Sequence, residues 1–168
     1  MNGRCSAQLA AAVLALLAAS GCTAWERSCT MIGSVSGVAV TVDQTMAADL
    51  DRLSLRVCWL PDSTRPTCRN TVVELTPGFD SVDQGCAPGG PDAVCSATAT
   101  PDGTSVGFVE LGDLPSGPIT VSGTATTAGQ RRPLAPVALT ASPTYPNGPD
   151  CGVGGTQATV TLGSDRLR

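Results

Sequence analysis

The side chains that could do chemistry in this chain are eight cysteines and fourteen carboxylates, because it contains no histidine and no lysine; its ten basic residues are all arginine. A serine nucleophile would lack both of its usual bases, so Ser-His-Asp and Ser-Lys designs are excluded, and Cys-His chemistry falls with them. Paired carboxylates could still hydrolyse a glycoside, but two Phe, two Trp and one Tyr offer little aromatic surface for a sugar. These residue types point away from an enzyme. Hard-cation binding needs several oxygens at one place. Asp43, Asp49 and Asp51 lie around one turn and are weak calcium candidates, with Asp80 and Asp83 as a second pair. No D-x-D-x-D-G run supports either group, and Asp is a common turn residue. No cofactor is implied. Zinc is disfavoured because no C-x2-C pair and no His exist.

The cysteines stand at 5, 22, 29, 58, 68, 86, 95 and 151, and the segment around the second decides how the others are read. Arg4 precedes a stretch from Ala7 to Ala19 that is apolar except for Gln8. That is the layout of a secretory signal helix, residues 1–21, and it is too short for the roughly 20 apolar residues of a membrane span. Ala19-Ser20-Gly21-Cys22 resembles the lipobox of bacterial lipoproteins, with Ala19 where Leu is usual. The resemblance implies cleavage before Cys22, a diacylglyceryl thioether (the site of palmitate-type acylation) on Cys22, and a protein lipid-anchored to the outer face of the cell membrane. Residues 22–28 then form a short tether, with Trp25 near the headgroups or simply in the linker, and residues 29–168 form the domain.

With Cys5 removed and Cys22 acylated, six cysteines remain on the oxidising side of the membrane, which favours three disulfides. Cys58 is out of phase with the Leu55/Val57/Trp59 stripe and Cys68 with Val73 and Leu75. Both thiols then fall on one face of adjacent strands, giving Cys58–Cys68. Cys86–Cys95 ties a long loop to its following strand, and Cys29–Cys151 clamps the ends of the domain. Six cysteines allow fifteen connectivities.

The mature chain carries nine Arg against fourteen acids, a formal charge of −5, without a basic stripe. A partner with a phosphate backbone requires one, so no nucleic acid is expected. The pattern is period two with Gly, Pro and Asp punctuation. Val38, Val40 and Val42 form one stripe, and Leu53, Leu55, Val57 and Trp59 another. Cys68 to Leu75, Ile119 with Val121, Pro133 to Ala141, and Ala158 to Leu162 add further strands. Ala93 to Thr100 and Thr104 to Leu111 flank Pro101-Asp102-Gly103, which reads as a hairpin turn. Thr45 to Leu50 alone has helical propensity, and residues 76–92 and 143–155 read as irregular. Seven to eight short strands without helices predict an all-β, immunoglobulin-like antiparallel sandwich, stapled by disulfides.

Phe108 to Val121, with Leu114-Pro115-Ser116-Gly117 at its centre, resembles the F-x-x-L-P-x-G-x-Y-x-V edge of prealbumin-like and carboxypeptidase-regulatory-like sandwiches, where Leu-Pro-x-Gly makes a tight corner; Ile119 replaces the usual aromatic. The chain from the lipobox to Tyr145-Pro146-Asn147-Gly148-Pro149-Asp150-Cys151-Gly152 also resembles small secreted lipoproteins of high-GC actinobacteria. That likeness implies compartment and fold, and no activity. The expected role is a surface-tethered binding or structural module of the cell envelope, contacting an envelope protein or polymer, with Phe79 as an exposed anchor on the stapled loop. The alternatives are an accessory or ligand-sensing subunit of an envelope complex and, last, a secreted hydrolase. Labelled fatty acid is expected on the wild-type chain and absent from Cys22→Ala; equal labelling of both rejects the anchor.

Overall fold

A computed structural model describes residues 29–60, 65–88, 90, 93–164 and 166–168. The expected signal helix 1–21 and the tether 22–28, with Cys22 and Trp25, lie outside the described residues. Met31–Arg168 forms one compact unit, and of the described residues only Cys29 and Thr30 belong to the unit before it.

The unit is almost wholly β. Its elements among the described residues are β1 (Gly37–Val42), α1 (Gln44–Ala47), β2 (Leu50–Trp59), β3 (Thr67–Val72), β4 (Leu75–Cys86), β5 (Cys95–Glu110), β6 (Gly117–Thr127), β7 (Gln130–Thr144) and β8 (Gly155–Leu162), with a 3-10 turn at Pro149–Cys151. Strand order is β3-β2-β6-β7-β8-β1-β5-β4. Period-two alternation explains which strands reach the interior. β1 buries Val38, Val40 and Val42; β2 buries Leu53, Leu55, Val57 and Trp59; β8 buries Ala158, Val160 and Leu162. These stripes join Val109, Ile119, Val121 and Leu134 in one hydrophobic cluster. A fully buried Val or Leu contributes about 1.5–3 kcal/mol, so aliphatic side chains build most of a core in which Trp59 is the one aromatic among the described residues.

The two ends of the strand order meet. β3 and β4 are the outermost strands, yet only Val73 and Glu74 separate them in the chain. Val73 is buried and its N–H donates to the Leu53 carbonyl at 2.9 Å. A sheet whose edge strands are two residues apart in the chain must bend round so that those edges approach one another. β7 makes the opposite link: Gln130 to Ala141 pair with β6, while Ser142, Pro143 and Thr144 pair with β8.

Three expectations are corrected. The sheet is mixed rather than antiparallel, because β1 runs parallel to β8, with Val38 beside Ala158 and Val42 beside Leu162. Alternation reports the buried face and carries no strand direction. Residues 76–92 are not irregular for most of their length, since β4 occupies them as far as Cys86. Pro101-Asp102-Gly103 is not a hairpin turn but an interruption inside the single long strand β5. There Phe79 faces Pro101 and Pro77 faces Ser105, so β5 carries the surplus residues of a bulge. The Asp side chain and the Gly at φ +79° satisfy the bulge locally, as they would a turn. The true β4–β5 connection is residues 87–94.

The Leu111-to-Gly117 corner carries the chain from β5 to β6, with Leu111 and Leu114 buried and the Leu114 N–H donating to the Leu111 carbonyl at 3.0 Å. Gly107 sits where β5 passes the β3–β4 link. A Cβ there would lie 2.6 Å from the Glu74 carbonyl oxygen and 2.7 Å from Val73 Cγ1. Gly107→Ala is therefore expected to lower unfolding free energy by about 1–3 kcal/mol, as overpacking does. Gly112→Ala, with open space around it, is expected to leave urea unfolding nearly unchanged.

Candidate functional site

β5 outlasts its neighbours. β1 covers it only from Ser105 to Glu110, so beyond Ser105 it has β4 on one side and, among the described residues, no strand on the other. From Phe79 to Cys86 and from Cys95 to Pro101 the two strands form a free ribbon, about 20 Å long at ~3.3 Å per residue. Both of its faces are exposed. Phe79, Ser81 and Asp83 alternate onto one face, opposite Pro101, Ala99 and Ala97; Asp80 and Val82 take the other, opposite Thr100 and Thr98. Phe79 is 56 % exposed and Val94, at the tip, 76 %.

Cys86 and Cys95 close the ribbon at its tip through a disulfide of 1.94 Å, Cα–Cα 3.9 Å. Cys58 and Cys68, directly opposed on β2 and β3, form a second of 2.09 Å. Cys29 and Cys151 are both disulfide-bonded. Each of the two hairpin bridges closes a loop of about ten residues, worth about 3 kcal/mol on the chain-entropy model.

The base of the ribbon is built around Asp102. Its Oδ1 accepts the Thr104 N–H at 2.8 Å and the Thr104 hydroxyl at 2.7 Å, and Gln44 Nε2 of α1 donates to its carbonyl oxygen. The Thr104 hydroxyl, then the Thr104 amide, hold the Asp102 carboxyl below its ordinary range. Gly78 lies close beneath, where a Cβ would collide with Thr104 Oγ1 and come within 2.8 Å of Asp102 Oδ1. The bulge thus requires a glycine opposite it.

The weak calcium candidates do not converge. Asp43 Oδ2 is paired with Arg168 at 2.6 Å, and Asp51 Oδ2 accepts the Gly129 N–H at 3.0 Å. Among the described residues no three His, Cys, Asp or Glu side chains are grouped as metal ligands. A cleft of about 650 Å³ where β2–β3 meets β4–β5 holds Asp51, Arg52 and Glu74. A shallower groove of about 440 Å³ crosses β3, β2 and β6, with Arg56, Asn70 and Thr71 in its wall. Neither presents a nucleophile with a base. Among the described residues no helix is long and apolar enough to cross a membrane.

Sequence reading placed Phe79 on a stapled loop; the staple closes a two-stranded ribbon instead. The ribbon's own signal is a long run without positive charge. No Arg occurs between Arg69 and Arg131, while Glu74, Asp80, Asp83, Asp92, Asp102, Glu110 and Asp113 all fall there. No protein-family model, curated protein or solved structure matches the chain.

The pH dependence of the bulge follows from its geometry. Because the folded carboxyl of Asp102 titrates lower than the unfolded one, its contribution is present above the unfolded value of about 3.9. It is lost as pH falls through the folded value. Carboxyl-carbon NMR titration should find Asp102 below the ordinary aspartate value. Thr104→Val, which removes the hydroxyl donor, should return it toward the ordinary range; an unmoved titration would overturn this account.

Proposed function

We propose that this chain is a lipoprotein held to the outer face of the cell membrane through diacylglyceryl-Cys22, and that its domain is a non-catalytic binding or structural module that engages an envelope protein or polymer through the stapled ribbon. The observation that carries this reading is a strand pair with solvent on both faces and a disulfide across its tip. Ordering backbone costs about 1–2 kcal/mol per residue, and on the ribbon almost no apolar burial offsets it. Aromatic exposure and a covalent closure at that place serve a partner's surface better than the domain's own stability.

Phe79, with Pro101, Ala99 and Ala97 around it, offers an apolar anchor, and Asp80 and Asp83 favour a partner presenting cationic groups. The mixed sheet is read as an immunoglobulin-like or prealbumin-like sandwich, its β3-β2-β6 half facing its β8-β1-β5 half across the shared cluster. Pairing of Cys29 with Cys151 belongs to the same reading, and peptide mapping without reductant tests it.

A photoreactive amino acid in place of Phe79 should give a discrete crosslinked adduct in intact cells, and the same probe in place of Val72 on the β3 edge should not. Adding Asp80→Arg and Asp83→Arg should reduce the Phe79 adduct several-fold. No adduct at Phe79, or the same smear from both positions, rejects the ribbon as the binding element.

A further inference from the structure

Strand directions divide the exposed apolar residues between two ends. β1 begins at Gly37 and β8, parallel to it, begins at Gly155. β5, antiparallel to β1, ends beside Gly37 at Glu110, and β7 ends at Thr144 beside Gly155. β6 begins at Gly117, paired near the end of β7, and β2 ends at Trp59 beside Ile119. Residues 31–36, 59–60, 65–66, 111–116 and 145–154 therefore all lie at one end, and the ribbon tip at Cys86 and Cys95 lies at the other.

At the first end Met31, Ile32, Val35, Leu60, Tyr145 and Val153 are 45–102 % exposed. Asn147 Nδ2 donates to the Ile32 carbonyl and Gln157 Nε2 to the Val35 carbonyl, both at 2.7 Å, which fixes residues 31–36 beside the loop that carries Tyr145 and Val153. Next to Leu60 opens an apolar recess of about 390 Å³ lined by Trp59, Pro66, Pro118 and Ile119. Exposed apolar groups gathered at one end mark a contact surface.

We infer that this end docks on the lipid surface, with its apolar side chains in the headgroup region and the ribbon directed away from the membrane. The occupant follows from where the chain enters. Met31 lies nine residues after Cys22, a span of at most about 30 Å, so on the acylation proposed above, on which this inference rests, the apolar end is the one the anchor holds near the bilayer. Charge does not drive the contact. Among the described residues Arg65 and Arg69 are matched at this end by Glu110, Asp113 and Asp150, and Arg69 is paired with Asp113 at 2.7 Å. Attraction to anionic lipid is therefore absent, and the contact is apolar and insensitive to salt.

Bromolipid quenching tests this on the chain purified from membranes and placed in phosphatidylglycerol–phosphatidylethanolamine vesicles. Against a Trp25→Phe parent, whose Trp59 emission serves as baseline, Tyr145→Trp should be quenched several-fold more than Val82→Trp on the ribbon, equally at low and high salt. Adding Ile32→Ser, Val35→Ser and Val153→Ser should remove the difference while circular dichroism and disulfides remain unchanged. Equal quenching at both positions overturns the docking, as does a contrast lost in high salt. So does an unquenched Tyr145→Trp in a protein that sediments as a dimer through this end. Intact mass reads the acyl chain separately. If Cys22 proves unmodified the anchor fails, and the same contrast, measured on the unacylated chain, still decides the docking.

Discussion

The link that returns one sheet edge to the other is the constraint on which the rest depends. β1 and β8 lie side by side in the middle of the strand order, and their stripes Val38/Val40/Val42 and Ala158/Val160/Leu162 belong to the core. Leu53, Leu55, Val57 and Trp59 with Ile119 and Val121 complete the same cluster. Because the strand neighbouring β1 on one side is the last in the chain, this centre cannot form until the intervening strands have been laid down. Such non-local pairing is slow to fold, and the short-range staples at Cys58–Cys68 and Cys86–Cys95 hold two hairpins together meanwhile.

What could be read from the sequence tracks burial. β1, β2 and β8 announced themselves because one face of each is packed and the other is not, which writes hydrophobic alternation into the residues. Cys58 and Cys68 were placed opposite one another from the same alternation. β4 announced nothing, since most of it has solvent on both sides and so no periodicity; Thr76-Pro77-Gly78 at its start reads as a breaker. Asp102 and Gly103 were ambiguous for a different reason. An Asp that accepts the amide two residues on, followed by a Gly at positive φ, is equally the chemistry of a turn and of a bulge. Only the strand across from it, with Gly78 leaving room for Thr104, decides between them. Strand direction was not legible at all, so the parallel β1–β8 pair was missed.

The exposed sites share this cause. Leu60 before Pro61, Tyr145 before Pro146, and Val153 among glycines look in sequence like isolated apolar residues in loops. Only the strand directions bring them to one end. Likewise Asp80, Asp83 and Asp102 are scattered acids in sequence, and come together on one arginine-free hairpin when β4 pairs with β5. Taken together, exposed aliphatic groups at one end and a disulfide-closed ribbon bearing Asp80 and Asp83 at the other give the domain two unlike ends.

The bridge between Cys86 and Cys95 has a further consequence for durability outside the cell. It encloses the chain from 87 to 94 covalently, so a peptidase that cuts between the two cysteines leaves both arms of the hairpin joined and still hydrogen-bonded from Phe79 onward. A nicked molecule would keep its arm, migrate as a single species until reduced, and differ from the intact one only by two new chain ends.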